Sequence, residues 1–469
     1  MSDKLATTGE AALSTRPAFD ASARHRRLLE GRILLTMLRL AGPTVIGSLA
    51  GISSSIIQMH FVGRLGVEPL AGLTLVFPCL TLMQLIASGG IGAGVSSAIA
   101  RSLGAGRKAD ADALVVNAAF LAVAFGVVFA GTALLLGPTL YRLLGGNGPT
   151  LAASLAYSNW AFSASVFVWL STLMISALVG SGNTVAPQIV AVLALVTVPI
   201  SAALIFGWGP IPSMGIAGGG LAFACYHFAS TAALICYLRS ARSSLRLRFD
   251  VRLIEWRLMR DILRVGTVSA LTVAVPTLSV AIVTAAIARF GVGAVAGYGI
   301  AIRADYLLVP LYFGICAGIM PMVGTNFGAG QIQRARRIAW TGALIAAGIG
   351  AGANLFLALV PSAWVGLFID DPAVLASSSL YFRIAGITFP LSALAIVLGA
   401  AAQAAGRPLW PFAAVTVRLL VAGGGSWLVV AGIGGRIEEL FIMLALGAIC
   451  YGGVMAGGQL FGRTIPERT

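Results

Sequence analysis

Arg64-Leu65-Gly66-Val67 returns as Arg289-Phe290-Gly291-Val292, and Ala71-Gly72 returns as Ala296-Gly297, both 225 residues later. Further along the chain the offset is 224. Leu103-Gly104-Ala105-Gly106 becomes Phe327-Gly328-Ala329-Gly330, Tyr157 becomes Tyr381, Gly182 becomes Gly406 and Pro187 becomes Pro411. A shift this constant marks two homologous halves that run in the same direction. In an apolar chain, such duplication is a hallmark of secondary transporters, whose substrate site lies between the repeats.

The chain is 58% hydrophobic and 10% charged, with a mean hydropathy of +0.94. Soluble domains carry roughly 25% charged residues, so this chain lacks the polar surface that water requires. Apolar stretches of ~20 residues recur, each able to cross a ~30 Å hydrocarbon core as a helix. The fold class is an all-α membrane protein with twelve spans, near 38–62, 70–97, 112–136, 151–178, 186–208, 215–238, 262–289, 294–322, 337–361, 374–402, 409–431 and 439–461. Six fall in each half, so the two copies share an orientation. The domains are a tail over 1–33, a first lobe over 34–238, a basic linker over 239–261, a second lobe over 262–462 and a tail over 463–469.

Charge sets the expected topology. Of 31 Lys and Arg, 24 fall in the N-terminal tail, the even-to-odd loops and the C-terminus. The alternate loops hold four, Arg64, Arg142, Arg289 and Arg436, and Arg303, Arg383 and Arg418 lie inside spans. That asymmetry places both termini in the cytoplasm of a bacterial inner membrane. The net charge of +15 is then a topology signal and not a nucleic-acid patch, because the basic residues are dispersed over loops. Arg239 to Arg264 carries eight arginines and reads as an amphipathic inter-lobe linker on the inner leaflet. No apolar segment with a cleavage site precedes the first span, so residues 1–33 read as a cytosolic tail.

The five cysteines, Cys79, Cys225, Cys236, Cys316 and Cys450, all lie in apolar spans, which argues against a disulfide framework. Three histidines, His25, His60 and His227, supply no metal-ligand spacing, and no cofactor is expected. Gly47–Gly51, Gly90–Gly94, Gly348–Gly352 and Gly453–Gly457 have the small-xxx-small spacing of closely packed membrane helices. Gly90-Ile91-Gly92-Ala93-Gly94 has neither the strand nor the full fingerprint of a nucleotide loop. Pro43, Pro78, Pro199, Pro276, Pro310, Pro321 and Pro390 lie within spans or at their ends, where each removes a backbone hydrogen bond and permits a kink.

Fifteen of sixteen acids lie in tails, loops or span ends. The exception is Asp305, about eleven residues into span eight and hence ~16 Å deep. A mid-membrane Asp costs ~2.5–3.5 kcal/mol on insertion scales, so it should face a cavity or a partner. It is the foremost candidate for a proton- or cation-responsive group. A permanent ion pair that ties helices together is the competing reading. Arg303 is two residues away on the opposite helix face, so Arg418 in span eleven is the better partner. Tyr298 and Tyr312 share the face of Asp305 at i−7 and i+7. Aromatic rings around an anion suit an organic cation, although heptad-spaced aromatics also serve packing. Arg383 lies near the outer end of span ten, where it can snorkel.

Phe61-Val62-Gly63-Arg64-Leu65-Gly66, followed by Pro69-Leu70-Ala71, resembles the end of helix one in the multidrug and toxic compound extrusion (MATE) family. Ala296-Gly297-Tyr298-Gly299-Ile300-Ala301-Ile302-Arg303, then Pro321-Met322-Val323-Gly324-Thr325-Asn326-Phe327-Gly328-Ala329-Gly330, resembles its helix eight and the loop that follows. Leu204-Ile205-Phe206-Gly207 and Gly215-Ile216-Ala217-Gly218 resemble its fifth-to-sixth connection. The likeness runs in family order from about Leu34 to Gly462. It implies two six-helix lobes forming a V around a central cavity, and export of small amphipathic, often cationic compounds in exchange for H⁺ or Na⁺. A monomer in the bilayer is expected.

The departures from that pattern matter. Where the family often has an Asp four residues before the Val-Gly of helix one, this chain has Gln58. The Asn and Asp that commonly precede Leu-Ile-Phe-Gly on helix five are Thr197 and Ser201, and an acid of helix seven corresponds to Thr272. Gln58, Thr197, Ser201 and Thr272 can line a substrate cavity with Tyr298 and Tyr312, but none of these four changes charge. Coupling then falls on Asp305, with Arg418 and Arg303 as the nearby cations. A lipid-linked flippase of the same superfamily is the alternative function. An intramembrane enzyme would need paired carboxylates or a histidine cluster within the spans, and neither is present.

Overall fold

The computed structural model describes residues 16–248, 250–432 and 434–465. Residues 1–15 and 466–469 of the two expected tails lie outside the described residues. Eleven helices are long and apolar enough to cross a membrane, and a pair bent by 50°, Gly148–Ser163 with Ser165–Gly180, makes a twelfth span. Spans one to six are Ile33–Gly63, Val67–Gly104, Lys108–Leu143, the bent pair, Val185–Phe206 and Ile216–Arg239. Spans seven to twelve are Trp256–Phe290, Val292–Gly328, Ile332–Leu359, Pro372–Ala404, Leu409–Ala431 and Ile437–Leu460. All twelve expected spans are present.

Each lobe has its own apolar core. Trp169, Phe162 and Tyr141 are fully buried in the first, and Phe382, Phe441 and Ile319 in the second. The lobes match in detail. Ser154 donates to the carbonyl of Gly72 at 3.1 Å, and its counterpart Ser378 donates to that of Gly297 at 2.9 Å. The turns match as well: Gly182 and Gly406 have φ of 76° and 77°, a left-handed conformation that favours glycine.

The change of offset from 225 to 224 has a structural cause. Span two has 38 residues and span eight 37, and only span two contains a π-helical segment, Ile86–Ile91. Bonding from i to i+5 takes one more residue per turn than an α-helix, so the segment absorbs the additional residue. Span eleven, with 23 residues against 22 in span five, has its own π segment at Leu419–Gly424.

The lobes meet near the face that carries the described terminal segments. A Cβ on Gly104 would lie 2.0 Å from the carbonyl oxygen of Thr325, and one on Gly328 would lie 2.2 Å from that of Arg101. These contacts are reciprocal under the repeat, so spans two and eight cross backbone to backbone at the pseudo-two-fold. Gly90 and Gly94 abut Ala270 and Ile262 of span seven, while Gly314 and Gly318 abut Val45 and Met37 of span one. Toward the other face, Gly72 and Gly297 turn to Ala153 and Ser377 of their own lobes. The result is a V closed at one end.

One expectation needs correction. Gly51, Gly348, Gly352 and Gly453 have open space where a Cβ would stand, so they do not mediate close packing here; a glycine pair facing away from neighbouring helices has nothing to approach. Beyond Arg239 the described part of the linker is a strap with a turn at 241–242 and a 3₁₀ turn at Val251–Leu253, and span seven begins at Trp256. Leu245 and Leu247 are buried in the first lobe, and Asn117 holds Leu253 and Glu255 by backbone hydrogen bonds. The described part of the N-terminal tail forms a helix, Arg16–Glu30. Its Leu28 packs on Gly182 of the first lobe and accepts a hydrogen bond from Asn326 of the second at 2.9 Å.

Candidate transport site

Asp305 is half-buried in the second lobe. Arg418 acts on it electrostatically from span eleven. The same two charges both reach Tyr298, Tyr306 and Tyr381, which draws spans eight, ten and eleven into one electrostatic neighbourhood. The charge of Asp305 also reaches Tyr312. Arg418 stacks over the ring of Tyr451 in span twelve, 5.7 Å from its centroid. Among the described residues, Asp305 and Arg418 are not within the 4.0 Å of an ion pair. Arg418 is therefore the neighbouring cation that the sequence indicated, but not a locked partner.

The aromatic surroundings are more interior than their spacing suggested. Tyr298 and Tyr312 are only 4% and 3% exposed, so both pack into the lobe instead of facing an open cavity. Tyr298 meets Tyr381 edge-on at 5.7 Å, and Tyr381 meets Phe441 at 5.6 Å. The hydroxyls of Tyr312 and Ser426 are buried without a hydrogen-bond partner. Tyr306, by contrast, is 55% exposed beside Asp305. Tyr306, Tyr381 and Tyr451 escaped the sequence reading. Tyr381 stood out only as the repeat partner of Tyr157.

Arg303 points elsewhere. It lies over the ring of Phe368 at 5.8 Å, in a groove of about 350 Å³ with Ala296, Gly299, Ile300 and Ile369. It is not part of the Asp305 neighbourhood, as expected for a residue on the opposite helix face. Arg383 is exposed.

In the first lobe, Thr197 donates to the carbonyl of Ala194 at 2.7 Å, and Ser54 of span one donates to the same oxygen at 3.1 Å. Span five is interrupted there by a 3₁₀ turn, Leu193–Leu195. Ser201 is fully buried and its hydroxyl lacks a partner. Gln58 and Thr272 are half-buried, and Thr272 bonds back to the carbonyl of Val268 at 2.9 Å. The structure thus places Thr197 and Ser201 around the break in span five, with Gln58 and Thr272 on other helices. All four are neutral.

At the closed end, a single guanidinium nitrogen of Arg101 in span two, Nη2, reaches both carboxylate oxygens of Asp261 in span seven, at 3.0 and 3.1 Å. Ser97 donates to the carbonyls of Gln403 and Ala404 at 2.6 and 3.0 Å. These bonds join the lobes directly. The sequence offered no signal for them beyond loop and span-end charges.

Two like-oriented six-helix lobes, joined at one end, with an acid inside a span of the second, form the frame of a membrane transporter. The family model for MatE matches residues 43–205 and 269–428, and the chain belongs to the MATE family. This is a family of transporters, not enzymes. The chain is similar to the FAD transporter of Shewanella oneidensis, with 26% identity over 432 residues, covering 90% of this chain and 93% of that protein. It is also similar to the probable multidrug resistance protein NorM of Deinococcus radiodurans, with 28% identity over 457 residues, covering 92% and 94%. A MATE crystal structure in the bent conformation superposes with a TM-score of 0.84 at 21% identity, covering 94% of this chain and 96% of that one.

Proposed function

We propose that this MATE protein is a secondary antiporter that exports small amphipathic, cationic organic compounds in exchange for H⁺ or Na⁺, by alternating access. The observation that supports this reading is Asp305, an acid within span eight that is near Arg418 but not bonded to it. While Asp305 is ionised, the two charges offset one another. When it takes up a proton or a sodium ion, Arg418 is left uncompensated and repels a bound organic cation. When it releases that ion, the site again tolerates a cation. Alternate occupancy of one small region by ion and substrate is what antiport requires. Access to the other side requires the lobes to part at Arg101–Asp261.

The test is uphill transport of a fluorescent organic cation in proteoliposomes under an imposed proton or sodium gradient. Asp305→Asn should abolish gradient-driven accumulation while substrate binding in detergent persists. Uphill transport at the normal rate by a stable Asp305→Asn protein overturns the coupling role.

One observation favours a second substrate class. The first-lobe candidates are neutral and Arg418 offsets Asp305, so the region has no excess negative charge. A flavin nucleotide, the cargo named for the Shewanella relative, is therefore assayed in the same vesicles. FAD export without cation export would replace the cationic reading.

A further inference from the structure

We propose that the helix Arg16–Glu30 is a latch: it clasps both lobes at the closed end and must let go of one of them before the lobes can part there. The latch belongs to the conformational cycle and holds whatever the substrate, so it does not rest on the exporter reading.

The pseudo-two-fold shows what the latch replaces. The chain turns at Gly406 beyond span ten, and a Cβ there would strike the Arg101 guanidinium of the opposite lobe. Arg101 also reaches Asp261, so one side chain of the first lobe covers a turn of the second and ties to its leading helix. The related turn in the first lobe is Gly182, beyond span four. At the offset of 224, the residue in the position of Arg101 is Thr325. Its short side chain carries no charge, and its hydroxyl is buried without a hydrogen-bond partner. Leu28 covers the turn instead: a Cβ on Gly182 would stand 2.8 Å from Leu28 Cδ1, and Leu28 is itself 2% exposed. The clasp that duplication left out of one half is supplied by the tail.

The other side of the same turn of helix holds the second lobe. The carbonyl of Leu28 accepts from Asn326 Nδ2 of span eight at 2.9 Å, and the carbonyl of Gly31 accepts from Arg334 Nη2 of span nine. Carbonyls at a helix C-terminus have no intrahelical partner, so they are free to be held from outside. The side chain of Leu28 thus belongs to one lobe and its backbone to the other. Only Gly31 and Arg32 separate this helix from span one, which starts at Ile33. Two residues span at most ~7 Å, so the helix cannot stay on spans eight and nine while span one swings away with the first lobe. Parting the lobes breaks the bonds from Asn326 and Arg334 or pulls Leu28 off Gly182. An element that grips only the closed arrangement raises its population by the contacts that opening would lose.

The experiment uses the full chain with Thr325→Cys as reporter, since Thr325 is 1% exposed where the lobes meet. Its reaction with a water-soluble maleimide is followed in detergent, over the background of the chain's own cysteines. Leu28→Ala loosens the grip on the first lobe and should raise the rate at least about tenfold. Asn326→Ala removes a hydrogen bond on the second-lobe side and should raise it about fivefold. A Ser165→Cys reporter, at a position 0% exposed within the first lobe, should stay unlabelled in both variants. Rates within twofold of the Thr325→Cys parent in both overturn the proposal. Acceleration by Leu28→Ala alone overturns it too, because the helix would then cover the first lobe without holding the second. Equal acceleration at the Ser165→Cys reporter shows general loosening and overturns it as well. If Leu28→Ala yields no folded protein, Asn326→Ala with the same two reporters decides alone.

Discussion

Asp261→Asn should shift the protein toward the state in which the lobes have parted at the terminal face. In the pair it removes, one Arg101 nitrogen reaches both carboxylate oxygens, at 3.0 and 3.1 Å, with side chains 19% and 40% exposed. An exposed surface pair contributes ~0–1 kcal/mol, and breaking a buried one costs ~3–5 kcal/mol. This partly covered pair falls between, at about 1–2 kcal/mol after allowance for solvent. Asparagine retains a weaker hydrogen bond, and Arg101 keeps its bond to the carbonyl of Ser97 at 3.2 Å. An energy of that size multiplies the open-to-closed ratio roughly 5- to 30-fold. Ser97 is sealed between the lobes at 0% exposure, so a Ser97→Cys background reports opening through its reaction rate with a water-soluble maleimide. Asp261→Asn should raise that rate by the same factor at low salt, and by less at high salt. A cysteine replacing Ser158, 2% exposed within the first lobe, should stay unlabelled and exclude global unfolding. A rate within twofold of the Ser97→Cys parent would refute the claim that this ion pair holds the lobes together.

Three further outcomes follow from the same contacts. Because Asp305 and Arg418 are not directly bonded, Asp305→Asn should lower stability by less than the ~3–5 kcal/mol expected for breaking a buried pair; a larger loss in chemical unfolding would restore the structural reading. Gly104→Val should prevent the closed crossing, since even a Cβ there would stand 2.0 Å from the carbonyl oxygen of Thr325, and transport should fail although the protein inserts and each lobe folds. Asn326→Ala removes the hydrogen bond to Leu28, costing about 1 kcal/mol, and should make the helix Arg16–Glu30 roughly fivefold more susceptible to trypsin at its arginines. Burial holds His25 on that helix below its ordinary value of 6.5. The released helix then takes up a proton before the docked one does, so docking should weaken as pH falls below 6.5 and trypsin cleavage should rise.

The repeat was legible because geometry leaves little choice at its landmarks. Gly104 and Gly328 lie where two backbones cross, and Gly182 and Gly406 lie where φ is positive, so glycine was kept in both halves while the lipid-facing residues diverged. The slip in offset was also visible, but its location was not. Ile86-Ala87-Ser88-Gly89-Gly90-Ile91 reads as ordinary apolar helix, and nothing in those residue types announces i to i+5 bonding. In the sequence Arg101 figures only in a topology count, and Asp261 only among the acids of loops and span ends. Their partnership spans 160 residues of chain and exists only because the lobes dock. Heptad spacing puts Tyr298 and Tyr312 on the side of span eight that carries Asp305. Which side of the lobe that face meets depends on packing with spans ten and twelve, which periodicity does not encode.

The internal comparison of the lobes supports the proposed place of the ion response. Arg418 aligns with Ala194 at the offset of 224, and both precede or sit within a break in the homologous helix: a π segment at Leu419–Gly424, a 3₁₀ turn at Leu193–Leu195. Irregular backbone at membrane depth persists only where it is buried in protein or lines a cavity, so the break is retained in both lobes. Its chemistry is not. In the first lobe, the Ala194 carbonyl accepts from Ser54 and Thr197, a fully neutral arrangement that binding or release of an ion leaves unchanged. In the second, a guanidinium occupies the aligned position and acts on Asp305 of span eight electrostatically from span eleven. Two copies of one scaffold have therefore diverged, one into a neutral polar junction and the other into one that carries a charge. Restoring an acid at Gln58 or Ser201 would recreate a titratable first lobe. If the second lobe alone couples transport, Asp305→Asn should remain inactive in that background; recovery of gradient-driven transport there would show that either lobe can carry the coupling charge.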